Sequence, residues 1–559
     1  MSEHVLDTQG GIVEVLSQQS GMALVLQSLQ SKVNDIQSLV RKNCLDVTRD
    51  EMLGWFSAAR VEDHHRSAKD KRTEDTAEWV LKKQEYLDWV SDSGPSLLWI
   101  KGISGAGKTT IISRLVDTYH ESTETADSFA QPHVAYFYCK RDAADRRFSE
   151  EIFRSFIRQL ASAYYPLPER FVHTYRDKSP KSSLSTKLYE EDYEGLLEEL
   201  MPRTTETVLI LDALDECVGE DTRASNEIGK VLKTLNRLLD TKLPIKIVVA
   251  SRYENRIKHN FTGKHTIEIS ADDNSSDIEK MVAARIDDYN LTDPRVKINT
   301  DLEEKILKVF NEKSQGKFQW ATLHIAHLLD GLTDGILPGA FAVEETLGEL
   351  PEGLVDTYSE IFHRINTKLH KRQNETAFRV FKWLLALGTC DEKVLLAAIC
   401  QRLEGQPGDL PNPVEGDAGF ILTACQHLVT IQDSKFRLSH LSVDEYFRNH
   451  KTELVDTCHY DVAKVCASVL FRYRTGQGAM EPWAYFCHKV EFSLPLLRDG
   501  QQSFMNKLWH FACNQWHVLF QQISSPCHQK DIQTIIDESF PNTFTTWLNV
   551  RVTGLTELK

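Results

Sequence analysis

The sequence predicts a parallel α/β sheet with helices on both faces, followed by helical and winged-helix domains, in a multidomain, helix-rich chain. Three observations predict it. Short apolar runs alternate with helical patterns from Leu97 to Ser270, strand signals largely stop after Ala271 in favour of amphipathic helices, and one hairpin pattern stands apart near residue 430. A chain of 559 residues is too long for one hydrophobic core, and its 41% hydrophobic and 26% charged residues are an ordinary globular balance.

The apolar runs are "LLWI" from Leu97, "VAYFYC" (134–139), "TVLILD" (207–212), "IKIVVAS" (245–251) and "TIEIS" (266–270). Near-continuous apolar strands separated by helices mark a parallel sheet buried on both faces. In "LVTIQDSKFRLSH", Val429 and Ile431, then Phe436 and Leu438, alternate around the turn "DSK", a hairpin that follows helices as the wing of a winged helix does. Near the N-terminus Met22, Leu26, Leu29, Val33, Ile36 and Val40 repeat at spacings of four and three, the seam of a helix packing in a small bundle or on a protein partner. Residues 60–78 are charged and nearly devoid of large apolar side chains, which reads as a linker. The tail, 451–559, reads mostly helical and carries Trp483, Trp509, Trp516 and Trp547.

Charge and cysteine content narrow the function. With 65 basic against 81 acidic residues, a formal charge of -16, the chain lacks the cationic excess that nucleic-acid or anionic-membrane binding requires. Its eleven cysteines are scattered without a Cys-x-x-Cys pair, as reduced thiols in a cytoplasmic protein would be. No apolar run approaches 18 residues, so no transmembrane segment is expected, and "MSEHVLDTQGG" is no secretory leader.

The chemistry concentrates in "GISGAGKTT". Gly102, Gly107, Lys108 and Thr109 satisfy G-x-x-x-x-G-K-[ST] between a strand and a helix. Gly102, Gly105 and Gly107 let the backbone fold back so that N–H groups, with Ser104, Ala106 and Thr110 in the same cradle, face a phosphate at a helix N-terminus. Lys108 reaches the β- and γ-phosphates, and the Thr109 hydroxyl ligates Mg2+. "VLILDALDE" ends a strand on Asp212, the expected partner of that Mg2+, with Asp215 or Glu216, Asp215 foremost, orienting or deprotonating the attacking water. "IKIVVASRYENRI" ends on Ser251 and Arg252; if that strand lies beside the phosphate-loop strand, Arg252 reaches the γ-phosphate. The nucleotide is ATP/ADP or GTP/GDP. His510, Cys513 and His517 share one helix face, but a structural zinc needs four ligands, and with Trp509 and Trp516 interleaved the face reads as aromatic packing.

The ordered runs "LLWIKGISGAGKTT", "LILDALDE", "KIVVASRYENRI", "GKFQWATLHIAHLL", "LGELPEGLVDTYSEIFHRI" and "FRLSHLSVDEYF" resemble the NACHT-domain signal-transducing (STAND) P-loop NTPases of filamentous fungi. These often carry ankyrin or other repeats after a nephrocystin-3-like N-terminal P-loop region. The resemblance runs from Trp79 to His450, about two thirds of the chain. It implies that His440, in "LSHLS", holds the β-phosphate of a bound diphosphate. It also implies a slow NTPase that is closed with diphosphate and opens to homo-oligomerise and signal, in non-self recognition or programmed cell death, through a partner of the N-terminal helices. A housekeeping P-loop ATPase and a non-hydrolysing scaffold are the alternatives. The implied units are an N-terminal helical segment (1–60), charged linker and lead-in (61–95), P-loop domain (96–271), helical domain (272–345), winged-helix-like domain (346–450) and helical tail (451–559). Three positions depart from the family's glycines, Asp75 and Ala77 in "EDTAEW" and Ala213 after Asp212, and no "GLPL"-type motif is present.

Overall fold

A computed structural model describes residues 49–57, 59–125, 132–141, 148–179, 188–202, 205–217, 225–292, 296–399, 418–472 and 507–539 without 509, 513, 516 and 517. The apolar seam of residues 22–40 and Trp483, Trp509, Trp516, Trp547, Cys513 and His517 lie outside them.

All five expected strands form. β1 (Ser96–Lys101), β2 (His133–Tyr138), β3 (Thr207–Asp212), β4 (Ile245–Ser251) and β5 (His265–Glu268) make one sheet in the order β2-β3-β4-β1-β5, every pairing parallel. β3 and β4 are buried at every residue, which is why they read as unbroken apolar runs. Lys101 pairs with Ser251 and Leu211 with Val249, so the carboxyl ends of β1, β3 and β4 come to one edge, where open α/β sheets bind ligands. The one cation inside these runs, Lys246, lies where β4 begins, and its ammonium donates to the carbonyls of Trp89 and Asp92 at 2.6 Å each. It thereby closes the C-terminal end of the helix Gln84–Ser91.

The charged stretch 60–78 is not a linker. Val61–Asp70 is a helix with only Val61 buried, and it is anchored by charge on the phosphate-loop helix Lys108–Thr125. His65 Nε2 (3.0 Å), Lys69 Nζ (3.2 Å) and an Arg72 guanidinium nitrogen (2.5 Å) converge on the carboxylate of Asp117. Burial pushes the Asp117 carboxyl up, but Arg72, Lys69 and His65 together hold it below its ordinary value. A helix fixed by ion pairs lacks the apolar stripe that reveals a helix in sequence. Residues 49–57 likewise join the sheet's core. Met52, Leu53 and Phe56 are buried in it, Phe56 stacks on Phe171 at 4.2 Å, and the Arg154 guanidinium donates to the Trp55 and Phe56 carbonyls.

Beyond the sheet, the helices Ala271–Thr292, Thr300–Ser314, Phe318–Thr333 and Ala340–Glu349 close on their own core, which includes Ile278, Ile306, Phe310 and Trp320. A second helical group, Leu354–Thr367, Lys371–Leu387, Glu392–Ile399 and Ala418–Ala424, leads into the hairpin. There β6 (Thr389–Asp391), β7 (Val429–Gln432) and β8 (Lys435–Leu438) form an antiparallel sheet in the order β6-β8-β7. The turn is two residues rather than the expected "DSK". Asp433 and Ser434 take φ of 53° and 57°, as a type I′ turn requires, and Lys435 already pairs with Gln432. The helices Leu441–His450 and Thr452–Arg472 follow; the tail residues Leu508, Leu519 and Ile532 complete the same core. Among the described residues no helix is long and apolar enough to cross a membrane, and no three or more His, Cys, Asp or Glu side chains gather as a metal site made of protein ligands alone.

Candidate nucleotide-binding site

The phosphate loop is gripped from two sides. Gly102 N–H donates to the Ser251 carbonyl (3.3 Å), and Asn274 Nδ2 donates to the carbonyls of Ala106 (3.0 Å) and Gly316 (2.9 Å). Gly105 and Gly107 both take φ of +79°. A Cβ on Gly105 would lie 2.9 Å from Gln319 Cβ, and one on Gly107 3.0 Å from the Phe318 ring, so glycine is required there twice over. Phe318 and Gln319 open the helix Phe318–Thr333, which therefore covers the loop. Lys108 Nζ donates to the Gly102 and Ile103 carbonyls, 2.9 Å each. Thr110 lies in the first turn of the helix Lys108–Thr125, and its carbonyl accepts from the Ser113 hydroxyl (3.0 Å).

Carboxylates line the facing edge. Thr109 Oγ1 donates to Asp212 Oδ2 at 2.7 Å. Burial pushes the Asp212 carboxyl up to about 6, against the hydrogen bond from Thr109 and the charge of Lys108. Glu216 accepts from the Arg141 backbone N–H at 3.2 Å and is pushed up to about 7, by burial first and by Asp215 second. Burial lowers the Lys108 ammonium, while Asp215 and Asp212 pull it back up.

Two buried oxygens, Asp212 Oδ1 and Ser104 Oγ, have no hydrogen-bond partner among the described residues. A buried polar atom left unpaired costs about 1–3 kcal/mol. Hard oxygen donors on Asp212 and Thr109 beside the loop fit a divalent cation such as Mg2+ held together with phosphates.

Arg252 sits beside the phosphate-loop strand, as expected if β4 pairs with β1, and it is fully engaged there. Its backbone N–H donates to Asp215 Oδ1 (2.9 Å), its Nε lies 3.3 Å from Asp215 Oδ2, and its guanidinium meets Glu445 Oε1 at 2.5 Å. Ser251 is structural: its buried hydroxyl accepts from the Trp99 indole N–H at 2.8 Å.

His440 caps the helix Leu441–His450, its Nδ1 accepting from the Ser442 backbone N–H (3.1 Å) and lying 2.7 Å from Ser442 Oγ. With Nδ1 accepting, the imidazole keeps its proton on Nε2. Burial first, and then the nearby cations Arg252, Lys108 and Lys140, lower the His440 pKa to about 4, so the imidazole is neutral within the field of the loop lysine. Ser442 Oγ continues to the Tyr358 hydroxyl at 2.7 Å.

Sequence reasoning missed Gln319, Asn274, Tyr358 and Glu445. Gln319, Tyr358 and Glu445 lie in quoted motifs, "GKFQWATLHIAHLL", "LGELPEGLVDTYSEIFHRI" and "FRLSHLSVDEYF", but a contact between distant units leaves no local signature. Asp75, Ala77 and Ala213, the three departures from glycine, take φ of 57°, 65° and 53°, the left-handed region in which a side chain costs about 1–2 kcal/mol. Ala77 is held there by Asp277, whose Oδ2 accepts its N–H at 2.7 Å.

Comparison with known proteins matches this region. Residues 75–252 match the family model described as Nephrocystin 3, N-terminal, a span that takes in the phosphate loop and Asp212 and stops at Arg252. The vegetative incompatibility protein HET-E-1 of Podospora anserina is 24% identical over 396 residues, covering 68% of this chain and 26% of that protein. The chain thus spans about a quarter of the curated relative it matches. Solved structures similar to it include a STAND protein with a tetratricopeptide repeat sensor from Pyrococcus horikoshii (TM-score 0.34, 10% identity, 82% of this chain and 58% of that one). The ORC2 protein of Aeropyrum pernix is another (TM-score 0.33, 16% identity, 69% and 94%).

Proposed function

We propose that this chain, similar to the NACHT-type P-loop signalling NTPases, is a nucleotide-controlled switch that binds ATP or GTP with Mg2+ and hydrolyses it slowly. One observation carries the reading: Arg252, just past the end of β4, is ion-paired with Glu445 on the helix that His440 caps, which ties the hairpin unit to the sheet edge that carries the loop. A simple ATPase has no use for a histidine brought there from a distal unit.

Each residue has a task in this scheme. Lys108 exchanges its two carbonyl contacts for phosphate oxygens. Thr109 and Asp212 hold Mg2+, which supplies positive charge against the phosphates. The neutral His440 donates its Nε2–H to the β-phosphate and keeps the molecule closed on diphosphate, and Arg252 reads the third phosphate.

For the water, the geometry favours Glu216 over Asp215, reversing the order the sequence suggested. Both Asp215 oxygens serve Arg252, while a Glu216 carboxyl near 7 suits a general base at neutral pH.

Turning a 1:99 population into 99:1 takes about 5.5 kcal/mol of differential binding, within reach of several charge-assisted contacts to one phosphate. Oligomerisation on opening, a protein partner for the N-terminal helices, a cytoplasmic setting and an incompatibility or cell-death pathway complete the proposal.

The test is to release and identify the nucleotide retained by purified wild type and by His440→Leu. Wild type is expected to carry diphosphate, and the variant to carry less and to oligomerise more readily. A wild type without diphosphate, or a variant indistinguishable from it, overturns the role of His440.

A further inference from the structure

We propose that Glu445 sets the preference between nucleoside di- and triphosphate, by occupying Arg252 with a carboxylate that a terminal phosphate has to replace. This rests on Arg252 being the residue that reads the third phosphate.

The Arg252 contacts divide into a fixed and a releasable half. Asp215 follows β3 directly, its side chain is 4% exposed, and it takes both the backbone N–H and the Nε of Arg252. Glu445 arrives from the hairpin unit, 193 residues away in sequence, and its side chain is 34% exposed. Rehydrating Glu445 on separation therefore costs far less than exposing or stranding Asp215. The guanidinium can turn from Glu445 to another anion while Asp215 keeps its stem in place.

Glu445 also travels with His440. His440 is the N-cap of the short helix that carries Glu445, and Ser442 between them is tied to Tyr358. Whatever frees Glu445 from Arg252 thus loosens the helix that presents His440. A diphosphate can leave the Arg252–Glu445 pair intact. A terminal phosphate brings about two negative charges to the same guanidinium and repels the Glu445 carboxylate at contact distance. Glu445 thereby penalises the triphosphate in the closed form and makes opening the condition for holding it.

The experiment measures equilibrium affinities of the full chain for fluorescent Mg2+·diphosphate and for a fluorescent non-hydrolysable Mg2+·triphosphate. The proteins are wild type, Glu445→Gln, Arg252→Ala and the double variant. Glu445→Gln keeps the shape and removes the charge, so it is expected to strengthen triphosphate binding by about tenfold while making diphosphate binding no stronger. Placed on Arg252→Ala, it is expected to have no further effect. An equal change for both nucleotides, no change, or an effect that persists without Arg252 overturns the assignment. Arg252→Ala with wild-type triphosphate affinity overturns instead the sensing role of Arg252, and the inference with it.

Discussion

Lys108→Ala is expected to weaken nucleotide binding by about 100-fold or more, close to 3 kcal/mol, because it removes charge-assisted bonds to two phosphates at once. The surroundings set this size. Lys108 is the loop's cation among Asp212, Asp215 and Glu216, and burial makes its charge costly enough that these carboxylates are needed to hold it. Without it the carboxylates lose their counter-charge, the Asp212 and Glu216 carboxyls rise further, and the edge repels an incoming phosphate. Equilibrium titration with a fluorescent nucleotide measures the loss, and thermal melting of the same sample shows whether the fold survives. A loss below tenfold in a folded variant contradicts the placement of Lys108 on the phosphates.

Trp320→Ala is expected to destabilise the helical unit by about 3–5 kcal/mol, the range for deleting a buried aromatic side chain. Trp320 is fully buried, its ring packs edge-on to Phe310 at 5.4 Å and against His324 at 4.4 Å, and its indole N–H donates to the Pro351 carbonyl at 2.7 Å. The consequence reaches the site because Phe318 and Gln319, the two residues before it on the same helix, press on Gly107 and Gly105. Denaturant titration should show a lowered midpoint, and Trp320→Phe should recover part of it. An unchanged midpoint contradicts the packing.

How much of this was legible in the sequence depended on whether a feature was local. β3 and β4 are buried throughout, so their apolar runs announced them, and "GISGAGKTT" carries its chemistry in eight consecutive steps of chain. The hairpin declared itself through alternation, whereas β6, three residues long, is too short to show a period. The helix Val61–Asp70 was hidden because Asp117, on another helix, holds it. The Arg252–Glu445 pair joins two units whose sequences contain no sign of each other, and the Asp215 role shifted only once its oxygens were seen to belong to Arg252. Ala77 and Ala213 show the reverse case: glycine-favouring positions where the backbone stays left-handed although the side chain opposes it.

The third phosphate is expected to decide whether the hairpin unit stays against the sheet edge. The most direct measurement is the distance between spin labels at the hairpin turn (Ser434) and on the sheet domain (Lys264), by pulsed electron paramagnetic resonance. One sample carries Mg2+ and diphosphate, the other Mg2+ and a non-hydrolysable triphosphate. A single narrow distance with diphosphate that shifts to longer values with triphosphate is the result this account predicts. The same distribution with both nucleotides would contradict it.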